Sequence, residues 1–112
     1  MEIKNLELPP IITALINSQN EHDSTAFVAC FMDQAEVFDE GKHHKGSQEI
    51  KAWNEQTNSE YNTQNEPISF EHTDAGDVLT LKVSGNFKGS PIQLKYNIII
   101  QDNLISYLSI AS

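Results

Sequence analysis

From Ile68 onward the chain alternates apolar and polar residues with a period of two, and this constrains its fold more than any other feature. Ile68, Phe70 and His72 alternate with Ser69, Glu71 and Thr73. Leu79, Leu81, Val83, Gly85 and Phe87 then alternate with Thr80, Lys82, Ser84 and Asn86. Ile92, Leu94, Tyr96, Ile98 and Ile100 line one face of a third long strand, and Asp102-Asn103 turns the chain tightly onto Leu104–Ile110. Asp74-Ala75-Gly76-Asp77 and Lys88-Gly89-Ser90-Pro91 supply the other turns. In the last strand strict alternation sends Leu104, Leu108 and Ile110 one way and Ile105 and Tyr107 the other, so it reads as apolar on both faces. Such a meander has an apolar face that another layer must cover.

The cover lies upstream. Pro9-Pro10 suits a first helical turn, and Ile11, Ile12, Leu15 and Ile16 give a helix to about Asn20 one apolar side. Asp23 or Ser24 caps a second, shorter helix with Phe27, Cys30 and Phe31 at i, i+3 and i+4. Between Ala35 and Trp53 the period changes twice. Ala35–Asp39 reads as a short strand that stops at an Asp39-Glu40-Gly41 turn, and a polar loop follows. Ser47 then caps a third helix carrying Ile50, Trp53, Thr57 and Tyr61. Helices ahead of a strand meander predict an α+β domain spanning residues 1–112, with three N-terminal helices on one face of a curved, mostly antiparallel sheet, bent near Gly85 into a cone with one open end. A second copy of the chain is the simplest cover for the outer sheet face, which predicts a homodimer.

The formal charge is −9, with seven lysines and no arginine. Nucleic acid needs a basic surface, and phosphate or carboxylate ligands are usually gripped by a guanidinium fork, so neither partner class fits. A neutral or weakly polar small molecule, or another protein, fits better. No apolar run approaches the roughly 20 residues of a membrane-spanning helix, and no basic segment leads into an apolar one at the N-terminus, so a cytoplasmic protein is expected. The one cysteine, Cys30, lies on an apolar helical stripe and reads as core.

The order of elements, Asp39-Glu40-Gly41 after the first strand, and the Gly46-Ser47 helix start with Ile50 and Trp53 resemble the nuclear transport factor 2-like superfamily in its SnoaL-like branch. Tyr61 and the Gly85-Asn86-Phe87-Lys88-Gly89-Ser90-Pro91 segment point to a subgroup of short bacterial proteins. The resemblance implies a cystatin-like cone. It also implies isomerase, cyclase or dehydratase chemistry without a cofactor, or else a plain dimerisation module. In ketosteroid isomerase relatives an aspartate at the end of the first strand shuttles a proton beside a carbonyl, and Asp39 matches it. The tyrosine of their first helix falls at Leu15 here. Their second acid, on a late strand, has no counterpart in residues 91–101, where Tyr96 could offer a phenol instead.

Two functional readings follow. In the first, Asp39 is a general base, Tyr96 or His44 is a proton donor, and Phe27, Phe31, Trp53 and Tyr61 wall the pocket. In the second, the cavity is filled by side chains, Asp39 accepts backbone bonds in its turn or pairs with Lys42, and the sheet serves dimerisation or a protein partner. His43 and His44 are adjacent in an extended segment and point opposite ways. They cannot readily share a metal ion, no other metal-binding spacing occurs, and one of them is expected at the pocket rim or both in a solvated loop. His72, in phase with Phe70, is either a satisfied inward histidine or a polar group facing the pocket. His22, in the turn between the first two helices, is expected to be exposed.

Overall fold

A computed structural model describes residues 7–111. Met1–Leu6 and Ser112, the ends of the expected domain, lie outside the described residues. The elements run α1 (Pro10–Asn20), α2 (Ser24–Val28), β1 (Phe31–Asp39), β2 (Lys42–Lys45), α3 (Gly46–Tyr61), β3 (Gln64–Thr73), β4 (Gly76–Ser84), β5 (Ile92–Gln101) and β6 (Leu104–Ala111). They form one six-stranded sheet in the order β2-β1-β6-β5-β4-β3. All neighbours are antiparallel except β1 and β6. No described helix is long and apolar enough to cross a membrane.

Four local differences from the sequence expectation matter for the site. Only α1 and α2 precede the sheet, because α3 follows the β1–β2 hairpin. Phe31 opens β1 instead of closing the second helix, which stops at Val28 after Asp23 Oδ1 caps it by accepting from the Ala26 N–H at 3.0 Å. The polar stretch expected as a loop is β2. Glu40 (φ 52°) and Gly41 (φ 77°) both lie in the left-handed region, which gives the tight two-residue turn that matches strand twist. Asp39 therefore sits across from Lys42 in the ladder, Phe38 across from His43, and Val37 across from His44. At the start of α3 Ser47 makes no cap. Glu49 Oε1 instead accepts from the Lys45 N–H at 2.8 Å, which ties the N-cap backbone to the first turns of the helix.

The core lies between the helices and the inner sheet face. Ile12 and Leu15 from α1, Phe27 from α2 and Ile50 from α3 meet Val37, Leu79, Leu81, Ile98, Ile105 and Leu108, all at most 1% exposed. Leu15 is thus fully in the core. Ile105 and Leu108 share the inner face although they are an odd number of residues apart. The β5–β6 register passes from Ile99↔Tyr107 to Ile100↔Ile105, so Ser106 is an extra residue, and its Oγ donates to the Ile99 carbonyl at 3.2 Å. Alternation without the bulge put these two side chains on opposite faces. A second shift, between Pro67 and Ser69, sets Ile68 aside in β3 and leaves Phe70 opposite Leu79 and His72 opposite Asp77.

Candidate functional site

A cavity of about 720 Å³ opens between α1, α3 and the ends of β1, β4, β5 and β6. It is open, not filled by the chain's own side chains. Val83, Leu94, Tyr96 and Ile110 of the sheet and Phe87 from the β4–β5 connection give it an apolar lining, and Gln19 of α1, Asn54 and Asn58 of α3, Thr63, and Asn65 of β3 give it a polar one. Asp39, Glu40, Trp53 and Tyr61 also line it. Among the described residues that line it, none is lysine, arginine or histidine, so its only formal charges are two carboxylates.

Asp39 reaches the cavity because β1 ends there and the Glu40-Gly41 turn carries the chain away. Trp53, on the second turn of α3, donates its indole N–H to Asp39 Oδ2 at 3.3 Å. The indole packs on Phe27 at a 6.0 Å ring separation and on His44 at 5.7 Å. Burial raises the Asp39 pKa, and the neighbouring Glu40 carboxylate adds to the rise; the Trp53 hydrogen bond, His44 and a Glu40 backbone bond oppose it. No ion pair with Lys42 forms, although the two residues face each other in the ladder.

Tyr96 projects from the middle of β5 and is 3% exposed. Burial pushes its pKa to about 12, with the Asp39 charge adding to the rise and a hydrogen bond from Gln19 opposing it. The phenol is therefore protonated at every physiological pH. Gln19 Nε2 donates to Tyr96 Oη at 3.1 Å, which leaves the phenolic O–H free to donate elsewhere. Gln19 Oε1 is buried without a partner among the described residues. Such an orphaned carbonyl costs roughly 1–3 kcal/mol. Asn54, on α3 and 2% exposed, accepts from Ser24 Oγ at 2.8 Å and from Asn58 Nδ2 at 3.1 Å, both on Oδ1.

Of the residues singled out from the sequence, Asp39, Tyr96, Trp53 and Tyr61 line this cavity. Tyr61 meets Phe87 edge-on at 6.0 Å. The others lie elsewhere. Phe27 of α2 and Phe31 of β1 are core residues whose tilted rings meet at 5.1 Å, and Phe27 also packs on Trp53. His44 sits behind the Trp53 ring on β2, one residue layer from the cavity. His43 is exposed on the other face of that strand, against Phe38 and hydrogen-bonded to Glu36. His72 is exposed at the far end of β3 and pairs with Asp77. His22 is half-buried, not exposed, and its ring nitrogen bonds to the Thr63 carbonyl at 2.8 Å. The sequence reading missed Gln19, Asn54 and Phe87. Asn54 lies one helical turn past Ile50, which is a usable signal; nothing local marks Gln19. Among the described residues no group of three or more His, Cys, Asp or Glu side chains could hold a metal ion.

No family model matches the chain, and no curated protein does. Solved structures do. The chain is similar to a candidate polyketide cyclase from Sinorhizobium meliloti, with 31% identity over 93% of this chain and 95% of that one and a TM-score of 0.88. It is also similar to a protein with a ketosteroid isomerase-like fold from Catenulispora acidiphila, solved in complex with trimethylamine (16% identity, 95% and 87% coverage, TM-score 0.83). An NTF2-like protein of unknown function from Cytophaga hutchinsonii has the same fold at 12% identity, with 98% and 93% coverage and a TM-score of 0.76.

Proposed function

The chain belongs to the nuclear transport factor 2-like superfamily, in its SnoaL-like branch, and from that premise we propose that it binds a neutral, partly apolar small molecule in the Asp39 cavity and transfers a proton on it. One observation carries the proposal: a carboxyl of raised pKa and a buried, protonated phenol line the same cavity. Trp53 holds Asp39 through Oδ2, and the carboxylate keeps further acceptor sites for a substrate proton. The ionised carboxylate takes a proton from a carbon next to a carbonyl, the C–H electron pair moves onto the carbonyl oxygen, and the Tyr96 O–H donates to that developing oxyanion. Return of the proton to the same or a neighbouring carbon regenerates Asp39, and no electron acceptor is consumed. The candidate cyclase at 31% identity supports this class of chemistry. The open cavity favours it over an interaction module with a filled interior.

The test is hydrogen exchange at the α-carbon of β-tetralone in heavy water, followed by proton NMR. Wild type should accelerate exchange above buffer. Asp39→Asn should lower the enzymatic rate by ~100-fold or more, and Tyr96→Phe by roughly 100-fold. A wild-type rate no faster than that of Asp39→Asn would remove the general base from the scheme.

A further inference from the structure

Building on the small-molecule reading above, we propose that the ligand is a ketone with an unbranched alkyl chain. Its carbonyl lies at Asp39 and Tyr96, and its chain runs along Leu94 and Val83 to Ile92 at the cavity rim.

The register of the sheet sets that direction. Phe38 pairs with Ser109 and Tyr96 with Ile110, so Asp39, the residue after Phe38, comes level with Ile110, and Asp39 and Tyr96 stand in one row across β1, β6 and β5. β6 pairs no further along β5 than Ala111↔Lys95. Past that pair β5 continues beside β4, with Leu94 opposite Leu81 and Ile92 opposite Val83. Tyr96, Leu94 and Ile92 all line the cavity, two residues apart on one face of β5, and the Cα atoms of the first and last are about 13 Å apart at the rise of a strand. Exposure climbs along this row from 3% at Tyr96 to 38% at Ile92, with Leu94 partly buried between them. Of the large apolar side chains exposed among the described residues, Ile68, Ile92 and Ile99, Ile92 alone lines the cavity. A lone exposed isoleucine is ordinary, but Ile92 continues a strip that Val83, Leu94 and Phe87 carry into the cavity. A chain that follows this strip takes Ile92 out of water, whereas a small ketone held at Tyr96 stops short of it. None of these four side chains can donate or accept a hydrogen bond, so a hydroxylated or charged chain would lose its water there without gaining a partner.

The test is a series of ketones, 2-pentanone, 2-heptanone and 2-nonanone, titrated into the full chain and followed by the fluorescence of Trp53, its only tryptophan. Affinity should rise roughly threefold with each added methylene. In Ile92→Ser the step from 2-heptanone to 2-nonanone should fall to within about twofold. Ile99→Ser, which removes an equally exposed isoleucine from the outer face of the same strand, should keep the wild-type step. Independently of any variant, the terminal methyl of bound 2-nonanone should show nuclear Overhauser contacts to the Ile92 methyls. Equal affinities across the wild-type series, a step that Ile92→Ser leaves intact, or the absence of those contacts would overturn the alkyl strip while the small-molecule reading stands. If none of the three ketones binds, the strip falls too, and the β-tetralone exchange, which needs no chain, decides the small-molecule reading by itself. Should Ile92→Ser not fold, the contacts to the Ile92 methyls in wild type decide.

Discussion

Asp39 is half-buried beside Glu40, so its ionisation works against folding while its protonation does not. The native state holds its proton to a higher pH than the unfolded chain. Asp39's contribution to stability is therefore fully present below the unfolded value of about 3.8 and is lost as pH rises through the raised native value. Asp39→Asn should consequently leave the melting temperature at neutral pH unchanged or raise it, because Asn can still accept from Trp53. The difference from wild type should close as pH falls toward 3.8. A lower melting temperature at neutral pH would identify Asp39 as a structural turn residue. The β-tetralone exchange rate should follow the opposite course, rising with pH as the carboxyl ionises and then levelling off, because Tyr96 stays protonated to about 12. Asp39 was legible from its place at a strand end, and Trp53 and Tyr61 from their helical spacing. His43 and His44 were not: their places depend on a strand, β2, that a stretch of Lys and His gives no reason to expect.

At the scale of elements, the close fit between the end of α3 and the end of β4 shapes the cavity mouth. A Cβ on Gly85 would stand 2.6 Å from the Tyr61 carbonyl oxygen and 3.0 Å from the Phe87 ring, while the next residue, Asn86, donates its N–H to that same carbonyl at 2.7 Å. Gly85→Ala must push these elements apart and should destabilise the protein by about 2 kcal/mol in urea unfolding, with weaker β-tetralone binding, because Tyr61 and Phe87 both line the cavity. An unchanged unfolding midpoint would show that the two elements can yield without cost. The helices and four C-terminal strands were readable because their apolar residues keep one period over long runs. The parity within β3 and β6 was not, because each bulge inserts a single residue and reverses every assignment beyond it. Ile105 shows the effect: placed opposite Leu108 by simple alternation, it lies beside it in the core.

For the molecule as a whole, helices cover only one face of the sheet. The outer face carries Lys82 opposite Gln93, Thr80 opposite Lys95 and Asn97 opposite Ser109, with Ile99 and Tyr107 as its apolar pair. We propose that a homodimer through this face would centre on that pair, since Ile99 is 40% exposed. Ile99→Lys should then shift sedimentation from dimer to monomer without changing exchange activity, and a wild-type chain already monomeric at micromolar concentration would exclude the arrangement. The parallel pairing of β1 with β6 has a further consequence, in time instead of space. Val37 meets Leu108 across almost the whole intervening chain, and β1 has only the four-residue β2 on its other side. The β3–β6 meander can assemble from neighbours, whereas the strand that delivers Asp39 must wait for the final strand to dock. The Asp39 carboxylate is thus expected among the last groups to reach its place during refolding, and recovery of Trp53 fluorescence should lag behind formation of the meander.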